Sequence, residues 1–163
     1  MKRLFLLFAF ALIAAPLAFS QTGIGIGIYP TGTETGLGIR TSKNARWMGD
    51  LRITKANFYS NPALSSFINE ASLVCRVIQL EKVRFHVGLG LRAEWNFGGK
   101  NNKYGGVIPI GVEAFPFPFQ NAGLFFESAP FFTHDLNSTY YGGIRTVAGF
   151  IFYFPTKEKH AQN

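Results

Sequence analysis

Beyond residue 21 the chain is a succession of runs in which apolar and polar residues take alternate positions. Eight runs are legible, near residues 22–30, 34–42, 47–58, 68–79, 83–96, 105–115, 122–132 and 140–154. Strict alternation puts successive side chains on opposite faces of a strand, a period that a helix does not produce. The fifth run is the clearest. Val83, Phe85, Val87, Leu89, Leu91, Ala93 and Trp95 share one face, and Arg84, His86, Gly88, Gly90, Arg92, Glu94 and Asn96 share the other. The split recurs. Ile24, Ile26 and Ile28 alternate with Gly23, Gly25 and Gly27, and Leu51 and Ile53 with Asp50, Arg52 and Thr54. Leu73, Cys75 and Val77 oppose Glu70, Ser72 and Arg76; Ile108, Ile110 and Val112 oppose Gly111 and Glu113; Leu124 and Phe126 oppose Gly123 and Glu127. In the last run Ile144, Phe150, Phe152 and Phe154 oppose Gly143, Arg145, Gly149 and Tyr153. The predicted fold is all-β, with eight antiparallel strands.

Each strand therefore has an apolar face and a face of glycine and charge. A water-soluble barrel would turn the apolar face inward, and a membrane barrel inverts it. The charged residues favour inversion. The polar faces carry Arg40, Arg52, Arg76, Arg84, Arg92 and Arg145 against Asp50, Glu70, Glu94, Glu113 and Glu127, a near balance, with His86 among them. Every strand cation in this set is arginine, whose planar fork pairs carboxylates, whereas the lysines fall mostly in turns, loops and the tail. Eight strands enclose a space that side chains can fill. The expectation is an up-and-down transmembrane barrel with a polar, side-chain-filled lumen holding these twelve residues as an ion-pair network. Aromatic residues near strand ends, Tyr29, Trp47, Phe58, Tyr59, Trp95, Phe97, Tyr104, Phe115, Phe131, Phe132, Tyr140 and Tyr141, read as interfacial girdles.

The turns predict a register. Antiparallel partners have residue numbers that sum to a constant. A sum near 90 for strands two and three sets Arg40 opposite Asp50, and a sum near 162 for strands four and five sets Glu70 opposite Arg92. A sum near 272 for the last pair sets Glu127 opposite Arg145.

The first residues change the picture of where such a chain works. Lys2 and Arg3 precede an apolar run from Leu4 to Leu17, and Ala18-Phe19-Ser20 offers small residues for cleavage. This reads as a signal peptide over 1–20, followed by a barrel over 21–154 and a periplasmic tail over 155–163. Losing Lys2 and Arg3 lowers the formal net charge from +7 to +5, a mild excess that calls for no nucleic acid. The single cysteine, Cys75, forms no internal disulfide and reads as a small apolar residue on the lipid-facing side. No linker, repeat or low-complexity tract divides the runs.

With both termini on one side, the turns Lys43–Arg46, Leu80–Lys82 and Pro116–Asn121 are periplasmic. The outer loops fall near Pro30–Thr33, Ser60–Phe67, Phe97–Tyr104 and Thr133–Thr139. This architecture resembles the small outer-membrane β-barrel proteins of the OmpA/OmpX type, and Gly149, Phe152 and Phe154 look like the terminal signal read by the barrel-insertion machinery. The resemblance implies an exported outer-membrane protein, monomeric, whose partners are outer-membrane lipid, lipopolysaccharide and that machinery.

Candidate chemistry is thin. Glycine alternation such as Gly23-x-Gly25-x-Gly27 has no phosphate-loop spacing, and the histidines at 86, 134 and 160 lie too far apart in sequence for a metal motif, so neither cofactor nor metal is expected. His134 and Ser138 in the last outer loop are the weak catalytic candidates, with Asp135 beside them. Lys100, Asn101, Asn102 and Lys103, and Lys55 on strand three, are cations and amides placed to meet lipopolysaccharide phosphates. The leading expectation is a non-enzymatic barrel with a structural or surface-interaction role and no wide pore. The alternatives are a lipid-modifying enzyme, of lipid A deacylase or acyltransferase type, and a soluble exported ligand-binding barrel.

Overall fold

The computed structural model describes residues 23–41, 43–56, 58, 66–97, 101–118, 121–137 and 139–154; the expected signal peptide and tail lie outside them. Every element among the described residues is a strand: β1 (Ile24–Gly32), β2 (Glu34–Thr41), β3 (Trp47–Ala56), β4 (Ser66–Gln79), β5 (Val83–Asn96), β6 (Lys103–Val107), β7 (Ile110–Ala114), β8 (Ala122–Asp135) and β9 (Tyr140–Tyr153). All pairings are antiparallel, and β1 pairs with both β2 and β9, which closes the sheet on itself. β6 and β7 both lie between β5 and β8, as two segments of one strand position. The result is an eight-strand ring.

The split strand has a chemical cause. Pro109 separates β6 from β7 and, lacking an N–H, cannot donate to a neighbour. Pro130 of β8 faces the same gap. The gap is bridged by two bonds that use the prolines as acceptors: Gly88 N donates to Pro109 O at 2.8 Å and Ile108 N to Pro130 O at 3.0 Å.

The alternation decides which face turns inward. The interior takes Arg40, Asp50, Arg52, Glu70, Arg76, His86, Arg92, Glu113, Glu127 and Arg145, all buried. The exterior takes the aliphatics, with Leu89 68%, Ile53 62% and Leu37 58% exposed. A second interior population was not foreseen. Tyr29, Phe115, Phe125, Val147, Ile151 and Tyr153 form a buried apolar cluster. Tyr29 and Phe115, expected in the girdles, belong to this cluster, because both stand on inward positions of the alternation. Trp47, Phe97, Phe132, Tyr140 and Tyr141 are exposed, and Tyr59 lies outside the described residues.

Two of the three expected registers hold residue for residue: Arg40 pairs with Asp50, and Glu70 with Arg92. The third is displaced by two residues. Glu127 pairs with Val147 and Ala129 with Arg145. β8 continues through Thr133, His134 and Asp135, where the sequence predicts a loop, and Asp135 Oδ1 then accepts from Asn137 N (2.9 Å) and Thr139 N (3.0 Å) to close a shorter turn. A shift of two preserves the faces, so Glu127 and Arg145 both still point inward. The first connection is shorter than expected as well. Pro30, Thr31 and Gly32 belong to β1, and Thr33 alone joins it to β2. Gly32 has φ +118°, a conformation that side chains rarely adopt, and a Cβ there would run into the Thr146 carbonyl.

Candidate functional site

The charged residues inside the ring form one connected web that runs from the loop side to the turn side. At the loop side Thr54 Oγ1 donates to Glu34 (2.7 Å), and Arg92 bridges Glu34 (2.6 Å) and Glu70. Arg145 joins Glu70 (2.7 Å) to Glu127 (2.8 Å). Glu127 is the central acceptor. Arg52 reaches its two oxygens at 2.7 Å each, and His86 Nε2 lies at 3.0 Å. Asp50 takes both Arg52 (2.6 and 2.9 Å) and Arg40 (2.8 Å from Nε). On the turn side Glu113 accepts from the Tyr153 hydroxyl (2.7 Å), with Arg76 at 3.5 Å and Arg40 at 3.9 Å. Arg76 ends the chain by donating to the Ala45 carbonyl (2.7 Å). Acid and arginine thus alternate along it.

Strand alternation positions these groups. Arg40, Asp50 and Arg52 come from β2 and β3; Glu70 and Arg76 from β4; His86 and Arg92 from β5; Glu113 from β7, Glu127 from β8 and Arg145 from β9. The arginine planes also rest on rings: Arg40 lies 5.4 Å from the Phe125 centroid, Arg52 5.1 Å from Tyr29, and Arg92 4.2 Å from Phe131. A guanidinium can bond two carboxylates through its planar edge while its face stacks, a division of labour for which a lysine ammonium has no plane.

Ten of the twelve residues expected in the network meet in it. Arg84 and Glu94 do not, since each stands where its strand reaches the mouth of the ring. Arg84 donates to the Lys43 carbonyl and to Asn44 Oδ1 (3.4 Å), and Glu94 pairs with Lys103 (3.4 Å) while partly exposed. The residue that sequence reading missed is Glu34, 3% exposed. It occupies an even position of β2, in phase with Arg40, and counting back from Arg40 by twos would have found it. Five buried arginines (Arg40, Arg52, Arg76, Arg92, Arg145) then meet five buried carboxylates (Glu34, Asp50, Glu70, Glu113, Glu127).

The web offers little for catalysis. Each carboxylate is engaged by at least one guanidinium, leaving no unengaged base among them. His134 is exposed, its Nδ1 3.2 Å from the Asp135 carbonyl oxygen, and Ser138 lies outside the described residues. Lys103, expected to reach outward from a loop, opens β6 instead and holds its ammonium 4.3 Å from the Tyr141 ring. Lys55 is not a surface cation either, being 7% exposed. Asn101 and Asn102 bond back to Asn96, and Lys100 lies outside the described residues. Cys75 is half-buried on the outward face, paired with Val87. No protein-family model, no curated protein and no solved structure matches the chain.

Proposed function

We propose that the chain is an integral outer-membrane protein, a small up-and-down barrel of the OmpA/OmpX type of architecture, with a filled polar lumen and a non-enzymatic structural or surface-interaction role. The observation that carries this reading is the inversion of burial. Arg40, Glu113 and Glu127 are 0% exposed, while Leu89, Ile144 and Ile53 stand 68%, 67% and 62% exposed. In water that arrangement loses about 25 cal/mol for every Å² of apolar surface left out and buries charge besides. In hydrocarbon the same outer face is favourable, and the charges are shielded inside.

Two further features support it. Phe67, Trp95, Phe97 and Tyr104 make a chain of ring contacts at 5.4 to 6.4 Å on the outward face near the loop side, suited to a headgroup boundary. Phe152 and Phe154 stand exposed at the end of the last strand, their rings 5.4 Å apart, where an insertion machinery would read them. Lipid and lipopolysaccharide are then the surrounding partners. The continuous web across the interior argues against a wide pore.

The test is cellular fractionation of the expressed full chain. It is expected with outer membranes after alkaline carbonate extraction, migrating differently in detergent gels before and after heating. Recovery in the soluble periplasm would overturn the proposal. Planar-bilayer recordings are expected to show no stable porin-sized conductance.

A further inference from the structure

At the turn-side mouth of the ring three connections converge on a cavity of about 260 Å³, lined by Lys43, Asn44, Glu81, Lys82 and Arg84 together with Phe115, Phe117 and Pro118. The walls are tied to one another. Arg84 donates to the Lys43 carbonyl and to Asn44, fixing the β2–β3 turn to β5, and Phe115 N donates to Lys82 O (2.8 Å), fixing the β4–β5 turn to the end of β7. Lys43 and Arg84 share one ring, their charged groups 5.1 and 4.6 Å from the Phe115 centroid. Among the described residues neither makes an ion pair. Of the lining charges, three are positive (Lys43, Lys82, Arg84) and one negative (Glu81), a surplus of two. Burial, and then the neighbouring Arg84, hold the Lys43 ammonium below its ordinary pKa, against a smaller opposing pull from Glu113.

We propose that this cavity binds a phosphate group, seated between Lys43 and Arg84, with the apolar part of its carrier against Phe117 and Pro118. Two adjacent cations on a fixed frame suit a phosphate, monoester or diester, because its tetrahedral centre offers a separate unesterified oxygen to each of them. Elsewhere in the ring the arginines are matched by carboxylates, so this mouth is where positive charge is left over for a ligand. The phosphate can belong to a soluble phosphomonoester or to a lipid headgroup, and the two differ in charge and in tail.

The test uses the full chain folded in maltoside micelles, titrated by calorimetry with inorganic phosphate, glycerol 1-phosphate and dihexanoylphosphatidylglycerol, with the Asn44 and Lys82 amide resonances followed in parallel. Saturable binding of at least one probe is expected, weakened tenfold or more by Lys43→Gln and unchanged by Lys103→Gln at the opposite mouth. Tighter binding of the monoester assigns a soluble ligand, and tighter binding of the diester a lipid; both uphold the site. Thermal unfolding verifies that each variant is folded, and Lys82→Gln, on a separate turn, repeats the test. Absence of saturable binding by all three probes, or equal affinity in Lys43→Gln and the parent, overturns it.

Discussion

The interior of the ring has two unlike walls. On β2 to β7 it is lined mainly by arginines and carboxylates that bond edge to edge, with Met48, Ile68, Val74 and Val107 between them; on β1, β8 and β9 it is lined mainly by Tyr29, Phe125, Val147, Ile151 and Tyr153. Neither wall would be stable facing a copy of itself. Five guanidinium groups with only carboxylates around them would satisfy their edges and leave their faces bare, and a purely aromatic interior would give the charges nowhere to go. Set against each other, rings cover the faces of Arg40, Arg52 and Arg92 while the carboxylates take the edges. Glu127 and Arg145 are charged residues on the aromatic wall, and they carry the web across the ring. The contrast teaches that buried charge and a buried aromatic cluster can share one interior. What matters is that each desolvated arginine finds an anion, and Arg40, Arg52 and Arg92 find a ring as well.

The sharpest way to break this contrast is at the crossing point. Glu127→Ala takes one acceptor from Arg52, Arg145 and His86 together, leaving buried cations short of counter-charge. Removing one partner of a buried pair costs about 3–5 kcal/mol, more than the pair itself contributes. Urea unfolding from lipid vesicles is expected to show a loss of that size. A loss below about 1 kcal/mol would mean that the web tolerates gaps and that the aromatic wall alone holds the interior.

How much of this was legible beforehand follows from the kind of signal each wall leaves. The charged wall is written in period two, and residues such as Arg40, Asp50, Glu70 and Arg92 could be placed opposite one another because short turns fix register. Glu127 and Arg145 were paired correctly in chemistry but two residues off in register, since their loop allowed more than one closure. The aromatic wall left a weaker signal. Phe125 and Val147 are apolar at inward positions, against the expectation of glycine and charge, and Tyr29 looked like an interfacial ring because a tyrosine at a strand end serves either role. Their placement depends on which arginines reach across, a three-dimensional fact. The break at Pro109 is legible in the run 105–115, because a proline inside a run marks lost ladder bonds.

Two substitutions weigh the contacts between the walls. Tyr153→Phe removes the hydroxyl that donates to Glu113 at 2.7 Å and accepts from Arg76 at 3.3 Å. A hydrogen bond to a charged group contributes about 1.5–3 kcal/mol, and the same unfolding measurement is expected to register a loss in that range. Phe125→Leu keeps an apolar side chain but takes the ring from beside Arg40 and Arg52 and from its edge contact with Tyr29 at 4.8 Å. The expected cost is smaller, about 1–2 kcal/mol, from imperfect packing and lost cation–π attraction. If Phe125→Leu proves the costlier of the two, stacking outweighs hydrogen bonding across this interior.

The smallest expected effect is also the most discriminating. Tyr29 and Tyr153 are both buried tyrosines of the aromatic wall, yet their hydroxyls differ. Tyr153 joins the web, whereas the Tyr29 hydroxyl has no hydrogen-bond partner among the described residues. It lies packed against the backbones of Gly27 and Gly38, where an added Cβ would fall within 3 Å of it. Its ring nevertheless works, lying under Arg52 at 5.1 Å and edge-on to Phe125. Tyr29→Phe keeps that ring and deletes only an unsatisfied polar atom. The gap left by one oxygen costs packing, and relief from burying an unpaired hydroxyl offsets it, so the net change is expected within about 0.5 kcal/mol of zero. Measured beside Tyr153→Phe, the pair separates the two functions of tyrosine on this wall. A loss at Tyr29 equal to that at Tyr153 would show that its hydroxyl is bonded in solution, by water if not by protein, and would extend the polar web across the ring to β1.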